Sequence, residues 1–178
     1  MKLKKFKYKL VNSTNNLAIN LIKKKKIRMG FVIADKQKKG RGQFGRKWVS
    51  YKGNLFVSIF FSMNDINLSL KQLTKINANL VIKLISKYYN KNIKLKLPND
   101  IMVNKKKICG ILQEIIENNN IKYMIVGIGI NIIKNPKLIK YPTTNLHDLS
   151  KSKISLIKIS NELKLIYEKF LKQQKAYK

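Results

Sequence analysis

Cysteine occurs once in the 178 residues, as Cys109, which excludes an internal disulfide framework and any cysteine-cluster metal site. A chain so poor in thiols suits a reducing compartment. His147 is the only histidine, so no Ser-His-Asp or Cys-His arrangement exists without it, and its place in a predicted loop makes it a surface side chain. With three prolines the chain has no proline- or serine-rich linker, and it shows no internal repeat. The longest uncharged apolar run, Tyr123 to Ile133, is shorter than the roughly 20 residues a bilayer span needs. The basic start Met1–Leu10 is followed by no hydrophobic segment of signal-peptide type. These absences point to a soluble, cytoplasmic protein with no membrane partner. A hydrophobic content of 44% rules out a disordered chain, and 178 residues suit one domain.

Acidic residues are the other scarcity: 8 Asp and Glu stand against 39 Lys and Arg, for a formal charge of +31. Such a charge suits nucleic acid, because basic residues that neutralise phosphates release condensed counterions. The lysines, however, run along the whole chain with no aromatic-interleaved stripe. Together, 36 Lys, 26 Ile and 20 Asn fit drift of an AT-rich coding sequence better than a nucleic-acid interface, so DNA binding is not expected. The field still steers acidic partners, in a salt-dependent way.

Against that drift, the residues that resist it carry information. Of three arginines, Arg41 and Arg46 lie within one short segment, which also holds Gly40, Gly42, Gly45 and the only tryptophan, Trp48. Formally Gly40 to Gly45 matches a dinucleotide fingerprint, but that motif requires a strand turning straight into a helix, and here Lys47 to Phe61 reads as another strand. The segment is read instead as a loop whose glycines let backbone N–H groups approach an anion and whose guanidiniums fork onto phosphate or carboxylate oxygens.

Local patterns give an α+β order. A helix opens at Ser13-Thr14-Asn15, with Leu17, Ala18, Leu21 and Ile22 on one face. Met29–Ala34 and Leu55–Phe61 read as strands, and Asp35–Tyr51 as the loop between them. Ser69 and Gln72 form a capping box for a helix with Leu70, Leu73, Ile76, Leu80, Leu84 and Tyr88 on its apolar face. Ile93–Leu97 is a strand ended by Pro98, residues 101–104 and 107–116 form a hairpin, and 121–133 is the next strand. A closing helix follows Ser155, with Leu156, Ile159, Leu163, Ile166 and Phe170 at helical spacing. In the strand from residue 121, Gly127, Gly129 and Asn131 share a face that is nearly bare, which suits either something flat lying on the backbone or a closely packed helix. Asp100 beside Asn99 is read as a turn residue or a Mg²⁺ ligand, with Lys107 as a compact charge nearby. Cys109 is placed on the same side as Lys107 and Ile111 as inert packing.

Three ordered segments resemble the signature of the biotin–protein ligase (biotin–[acetyl-CoA-carboxylase] ligase) family: Gly40 to Trp48; Leu97-Pro98-Asn99-Asp100-Ile101 with Lys107 to Leu112; and Val126 to Asn131. Asn12 to Asn15, Gln37 and Pro142 to Leu146 resemble further family segments. The resemblance implies a mixed, mostly antiparallel sheet flanked by helices, in a single catalytic domain over residues 1–178. It implies neither an N-terminal DNA-binding module nor a complete C-terminal β-barrel, so transcriptional repression is not expected. It also implies that biotin is activated by ATP with Mg²⁺ as biotinyl-5′-AMP and passed to one lysine of a biotin carboxyl carrier protein, a subunit of acetyl-CoA carboxylase. A homodimer is left open. By resemblance Ser13, Thr14, Asn15 and Gln37 hold the biotin ring, Gly110, Gly127 and Gly129 floor its pocket, and Gly40 and Arg41 close on it. Lys107 meets the carboxylate and α-phosphate and, with Arg41 and Arg46, forms the catalytic set. Arg41, Arg46, Trp48, Asn99, Asp100 and Asn131 serve ATP, with Asp100 toward the metal. Gln43 and Phe44 stand where the family often has basic residues, and Leu97 where it often has an aromatic. Two alternatives remain, a lipoate ligase or octanoyltransferase-like acyl transfer and a basic nucleic-acid-binding domain.

Overall fold

The structure is a computed structural model that describes residues 2–64, 66–137 and 141–176. Seven strands form one sheet in the order β1-β2-β3-β7-β6-β5-β4. In chain order they are β1 (Lys4–Val11), β2 (Met29–Gln37), β3 (Leu55–Ser62), β4 (Ile93–Lys96), β5 (Asp100–Val103), β6 (Lys106–Asn118) and β7 (Ile121–Ile130). Only β1 and β2 pair in parallel, so the sheet is mixed and mostly antiparallel as expected. The helices are α1 (Thr14–Lys25), α2 (Leu70–Ser86), α3 (Leu146–Ser150) and α4 (Leu156–Ala176). None is long and apolar enough to cross a membrane among the described residues.

Two apolar layers follow from the period-2 alternation of the strands. On one face Val57, Ile59, Val126, Ile128 and Ile130 meet Leu73, Val81 and Leu84 of α2 and Ile159, Leu163 and Tyr167 of α4. On the other, Val32, Phe60, Tyr123 and Ile125 meet Ala18, Leu21 and Ile22 of α1. That second layer stops halfway along β7. Tyr123 and Ile125 lie under α1, whereas Gly127 and Gly129, next on the same face, lie beyond its hydrophobic stripe. The open half of this face holds the site.

Several sequence expectations are corrected. Strand β1 was read only as a basic start, because four lysines between Lys4 and Lys9 obscure an alternation in which Phe6 and Tyr8 pack under α1. As an edge strand it carries charge that discourages pairing with another chain. Strand β2 runs to Gln37 rather than Ala34, and β7 ends at Ile130, so Asn131 leaves the sheet. The capping box is present: the Gln72 N–H donates to Ser69 Oγ (3.3 Å) and the Ser69 N–H to Gln72 Oε1 (2.8 Å). The face of α2 is rotated, however, leaving Leu70 52% exposed while Asn77 is buried. Helix α3 was not foreseen.

The hairpin β5–β6 contains the most consequential correction. Ile101 pairs with Cys109 and Met102 with Lys107, so Ile108 is an extra, bulged residue. Ile108 and Cys109 are both buried in the α2–α4 layer, and Lys107 turns to the opposite face, beside Gly110. Without the bulge, strict alternation would put Lys107 on the same side as Cys109 and Ile111, the shared side expected from the sequence, whereas the bulge separates them.

Candidate functional site

Two transverse rows of the sheet build the floor. Asp100, Gly110 and Gly129 are neighbours across β5, β6 and β7, and Leu112, Gly127 and Ser58 are neighbours across β6, β7 and β3. Of the two readings of the bare face, something flat or a packed helix, Gly129 takes the first: the Trp48 indole lies on Gly110 and Gly129, where added Cβ atoms would stand 2.7 Å and 2.5 Å from ring carbons. Asn15 covers Gly127 in the same manner. Glycine is needed here for close approach rather than for its backbone freedom. A cavity of about 250 Å³ results, bounded by the start of α1, loop residues from Arg41 to Val49, β5 to β7, and Pro136, Tyr141 and Thr143.

One end of the cavity is polar. Ser13 occupies the N-cap position of α1 but makes no capping bond; the donors there are met by Gln37, whose Oε1 accepts from the Thr14 N–H (2.9 Å) and hydroxyl (3.1 Å). The Gln37 amide donates to Ser50 Oγ at 3.2 Å. Ser58 Oγ lies 2.8 Å from Thr14 Oγ1 and also hydrogen-bonds Asn15 Oδ1. The Asn15 amide donates to Glu114 Oε2 (2.7 Å) and to the Leu112 carbonyl (3.3 Å). Arg41 completes this end, its Nη2 2.5 Å from the same Glu114 oxygen. Gly40 does not line the cavity; it closes the base of the loop, accepting from the Trp48 N–H at 2.9 Å, and a Cβ there would strike the Trp48 carbonyl.

The other end is charged. Lys107 Nζ lies 2.6 Å from Asp100 Oδ1, and the Tyr141 hydroxyl donates to Asp100 Oδ2 at 2.6 Å. The same ammonium stands 5.3 Å from the Trp48 ring centre and 5.4 Å from that of Tyr141, within cation–π range. Burial, then the Asp100 hydrogen bond and charge, push the Tyr141 phenol up to about 12 against an opposing effect from Arg46. Arg46 lines the mouth. Asn99 is largely structural: its amide donates to the Ile111 carbonyl (3.1 Å) and its own carbonyl accepts from the Ile111 N–H (2.9 Å). Asn131 donates to the Thr144 carbonyl at 3.1 Å, leaving Oδ1 buried without a partner, and Trp48 Nε1 is likewise unpaired. Buried polar atoms are normally satisfied, so the slot offers a ligand one spare acceptor and one spare donor.

A magnesium ion held by this chain does not fit. Asp100 Oδ2 accepts from Tyr141, Oδ1 is buried with no hydrogen-bond partner but lies 2.6 Å from the Lys107 ammonium, and among the described residues no three of His, Cys, Asp and Glu come together. Asp100 is the counter-ion of Lys107 instead, and no step below depends on a metal. Burial pushes the Cys109 thiol far up, consistent with inert packing, and His147 lies on α3 with its side chain 53% exposed, outside the cavity.

Sequence reading missed Tyr141, Glu114 and Ser58. Glu114 is one of only eight acids and lies four residues after Gly110, a usable signal; Ser58 is the one polar residue inside the apolar run Leu55–Phe61. Tyr141 had no such signal, since it joins the site only through its tertiary contact with Asp100.

Residues 8–131 match the model of the biotin/lipoate A/B protein ligase family. A bifunctional ligase/repressor BirA of Bacillus spizizenii is 33% identical over 166 residues, covering 90% of this chain and 51% of the relative. A biotin–[acetyl-CoA-carboxylase] ligase of Mycobacterium tuberculosis is 27% identical over 124 residues, covering 66% of this chain and 45% of the relative. The chain thus spans about half the length of the curated relatives it matches. Among solved structures, a biotin protein ligase from Aquifex aeolicus in complex with biotin and ATP superposes with a TM-score of 0.81 at 28% identity, over 97% of this chain and 72% of that one. With the family model matching most of its length and the same fold in a biotin-bound relative, the chain belongs to the biotin/lipoate A/B protein ligase family.

Proposed function

We propose that the chain uses ATP to activate biotin as biotinyl-5′-AMP and transfers the biotinyl group to a lysine of a carrier protein of the acetyl-CoA carboxylase type. The observation that carries biotin over lipoate is the polar end of the slot. Ser13, Thr14, Asn15 and Gln37, with the buried Ser58 hydrogen-bonded behind Thr14 and Asn15, supply hydroxyls and amides where a ureido ring, with its carbonyl and two N–H groups, exchanges hydrogen bonds. Thr14, Asn15, Gln37 and Ser58 hydrogen-bond one another, and a ureido ring can exchange into that network, whereas a dithiolane or an alkyl chain offers nothing to exchange and gains no hydrogen bond there. The relatives with biotin ligase names and the biotin- and ATP-bound neighbour support the same reading.

In the first step a biotin carboxylate oxygen attacks the α-phosphorus, the bond to the bridging oxygen breaks, and pyrophosphate leaves. The attack brings two anions together, and Lys107 is the cation placed to offset their repulsion. The Trp48 indole, packed on the glycine floor, walls the slot beside Lys107 and narrows the directions from which the acyl chain can approach. Arg46 at the mouth meets the phosphate side, and Asn131 Oδ1 and Trp48 Nε1 are the spare polar groups. In the second step the carrier's ε-amine attacks the acyl carbon, a proton is lost from nitrogen, and AMP leaves. Gln43 in place of a basic residue loosens the hold on the adenylate. Pyrophosphate release from Mg-ATP, measured with biotin, lipoate or octanoate, tests the reading. Biotin alone should support it; release with lipoate and none with biotin overturns the assignment.

A further inference from the structure

We infer that Tyr141 is a positioning residue for Lys107, acting through Asp100 during adenylate formation; this rests on the function proposed above. Lys107 is the only cation in contact with Asp100 among the described residues, and Asp100 is only 8% exposed, so the pair stands in an environment where a carboxylate grips an ammonium firmly. An ammonium gripped in that way is a poor partner for an incoming carboxylate and α-phosphate. The Tyr141 hydroxyl changes the balance. By donating to Oδ2 at 2.6 Å it takes up part of the carboxylate charge and fixes the carboxylate plane, leaving Oδ1 to orient Lys107 without monopolising it. Its ring stands 5.4 Å from Lys107 Nζ and 4.6 Å from Lys96 Nζ. A phenol that donates to an anion has a more electron-rich ring, which strengthens both cation contacts.

The backbone supports the same assignment. The segment that carries Tyr141 is hydrogen-bonded to both main-chain groups of Lys107: the Lys107 N–H donates to the Pro142 carbonyl (2.8 Å), and its carbonyl accepts from the Thr144 N–H (2.9 Å). That segment is anchored in turn, because Asn135 donates to Thr143 Oγ1 at 2.8 Å and Asn131 to the Thr144 carbonyl at 3.1 Å. Tyr141 is therefore held in register with the residue it serves. With the phenol pushed up by burial and by Asp100, the hydroxyl remains a donor throughout the neutral range.

The test is a mutant cycle with Tyr141→Phe, which keeps the ring, in the native and Asp100→Asn backgrounds. Loss of one hydrogen bond to a charged group should lower kcat for biotin-dependent pyrophosphate release about tenfold, with biotin affinity changed less than about twofold. In Asp100→Asn the same change should have no further effect. Equal losses in both backgrounds, a loss confined to biotin affinity, or full activity of Tyr141→Phe would each overturn the assignment. A second readout separates this idea from the proposed function: acylation of Lys107 by an amine-reactive ester, followed by peptide mass, without substrates. It should be slower in Tyr141→Phe than in the native chain and indifferent to Tyr141 when Asp100 is Asn. If no pyrophosphate appears with biotin, the functional reading fails, and the labelling contrast alone then upholds or overturns the role of Tyr141.

Discussion

Gly129→Ala puts the floor of the slot to a direct test, because the chain has a single tryptophan and that tryptophan is what the new methyl would touch. The added Cβ would stand 2.5 Å from Trp48 Cε2 and 2.7 Å from Cζ2 and Nε1. Carbon atoms rest about 3.5–4.0 Å apart, so the indole must lift by about 1 Å or more. The floor itself cannot retreat, since Gly129 sits on a central strand paired with Phe56 on one side and Gly110 on the other. Overpacking of this kind costs about 1–3 kcal/mol. The cost falls on the closed arrangement of the loop, whose Trp48 N–H is fixed to the Gly40 carbonyl at 2.9 Å, so it should weaken biotin binding by about 5–150-fold. Emission of Trp48 and calorimetric titration with biotin read the two consequences separately. Gly129→Ala should red-shift the emission as the indole leaves the slot and should lower affinity. Gly127→Ala, two residues away on the same face, strikes Asn15 and should lower affinity with the emission unmoved. An unshifted emission together with affinity within about twofold of native in Gly129→Ala would refute the packing argument.

Lys107→Ala should reduce adenylate formation by about 10²–10³ while Lys105→Ala and Lys106→Ala stay near native, because only Lys107 is turned into the slot by the bulge; parallel loss in all three would indicate a mere field effect. Glu114→Gln removes the charge that ties Arg41 to Asn15, and amide exchange in residues 40–48 should quicken with little change in α2; unchanged protection would contradict a latch. At Glu168 burial alone raises the pKa, but hydrogen bonds from Lys164 and the Leu3 N–H, with nearby positive charge, bring it below the ordinary value. A folded-state pKa below the unfolded one gives stability that is present at neutral pH and lost as pH falls through the folded value. Glu168→Gln should therefore destabilise by about 1.5–3 kcal/mol at pH 7 and by progressively less in acid, as read by urea unfolding; a pH-independent difference would exclude the charge as the cause.

Those residues whose type is costly or whose spacing is fixed were legible in the sequence. The two arginines and Trp48 stand out in a lysine-rich chain, and the alternation of Val126, Ile128 and Ile130 against Gly127 and Gly129 marks the bare face in the sequence itself. What occupies that face was not legible, because Trp48 reaches it from a loop with no periodic pattern. Strand β1 was hidden by its own edge chemistry, in which lysines occupy alternate positions. Lys107 was expected in the site, but its shared side with Cys109 was misread for a different reason: a bulge leaves no mark in an apolar run that continues as Ile108, Cys109 and Ile111, and only strand register reveals it. Tyr141 and Glu114 join the site through tertiary contacts 41 and 73 residues away in sequence, a distance at which local patterns say nothing.

The central claim is that this slot recognises biotin and delivers it, as an acyl adenylate, to a carrier lysine. Intact-mass measurement of an isolated biotin carrier domain incubated with the chain, Mg-ATP and either biotin or lipoate tests it most directly. One biotinyl group should be added, dependent on ATP and abolished when the acceptor lysine of the carrier is replaced, with no addition from lipoate. Lipoylation without biotinylation, or no ATP-dependent mass change with biotin, would contradict it.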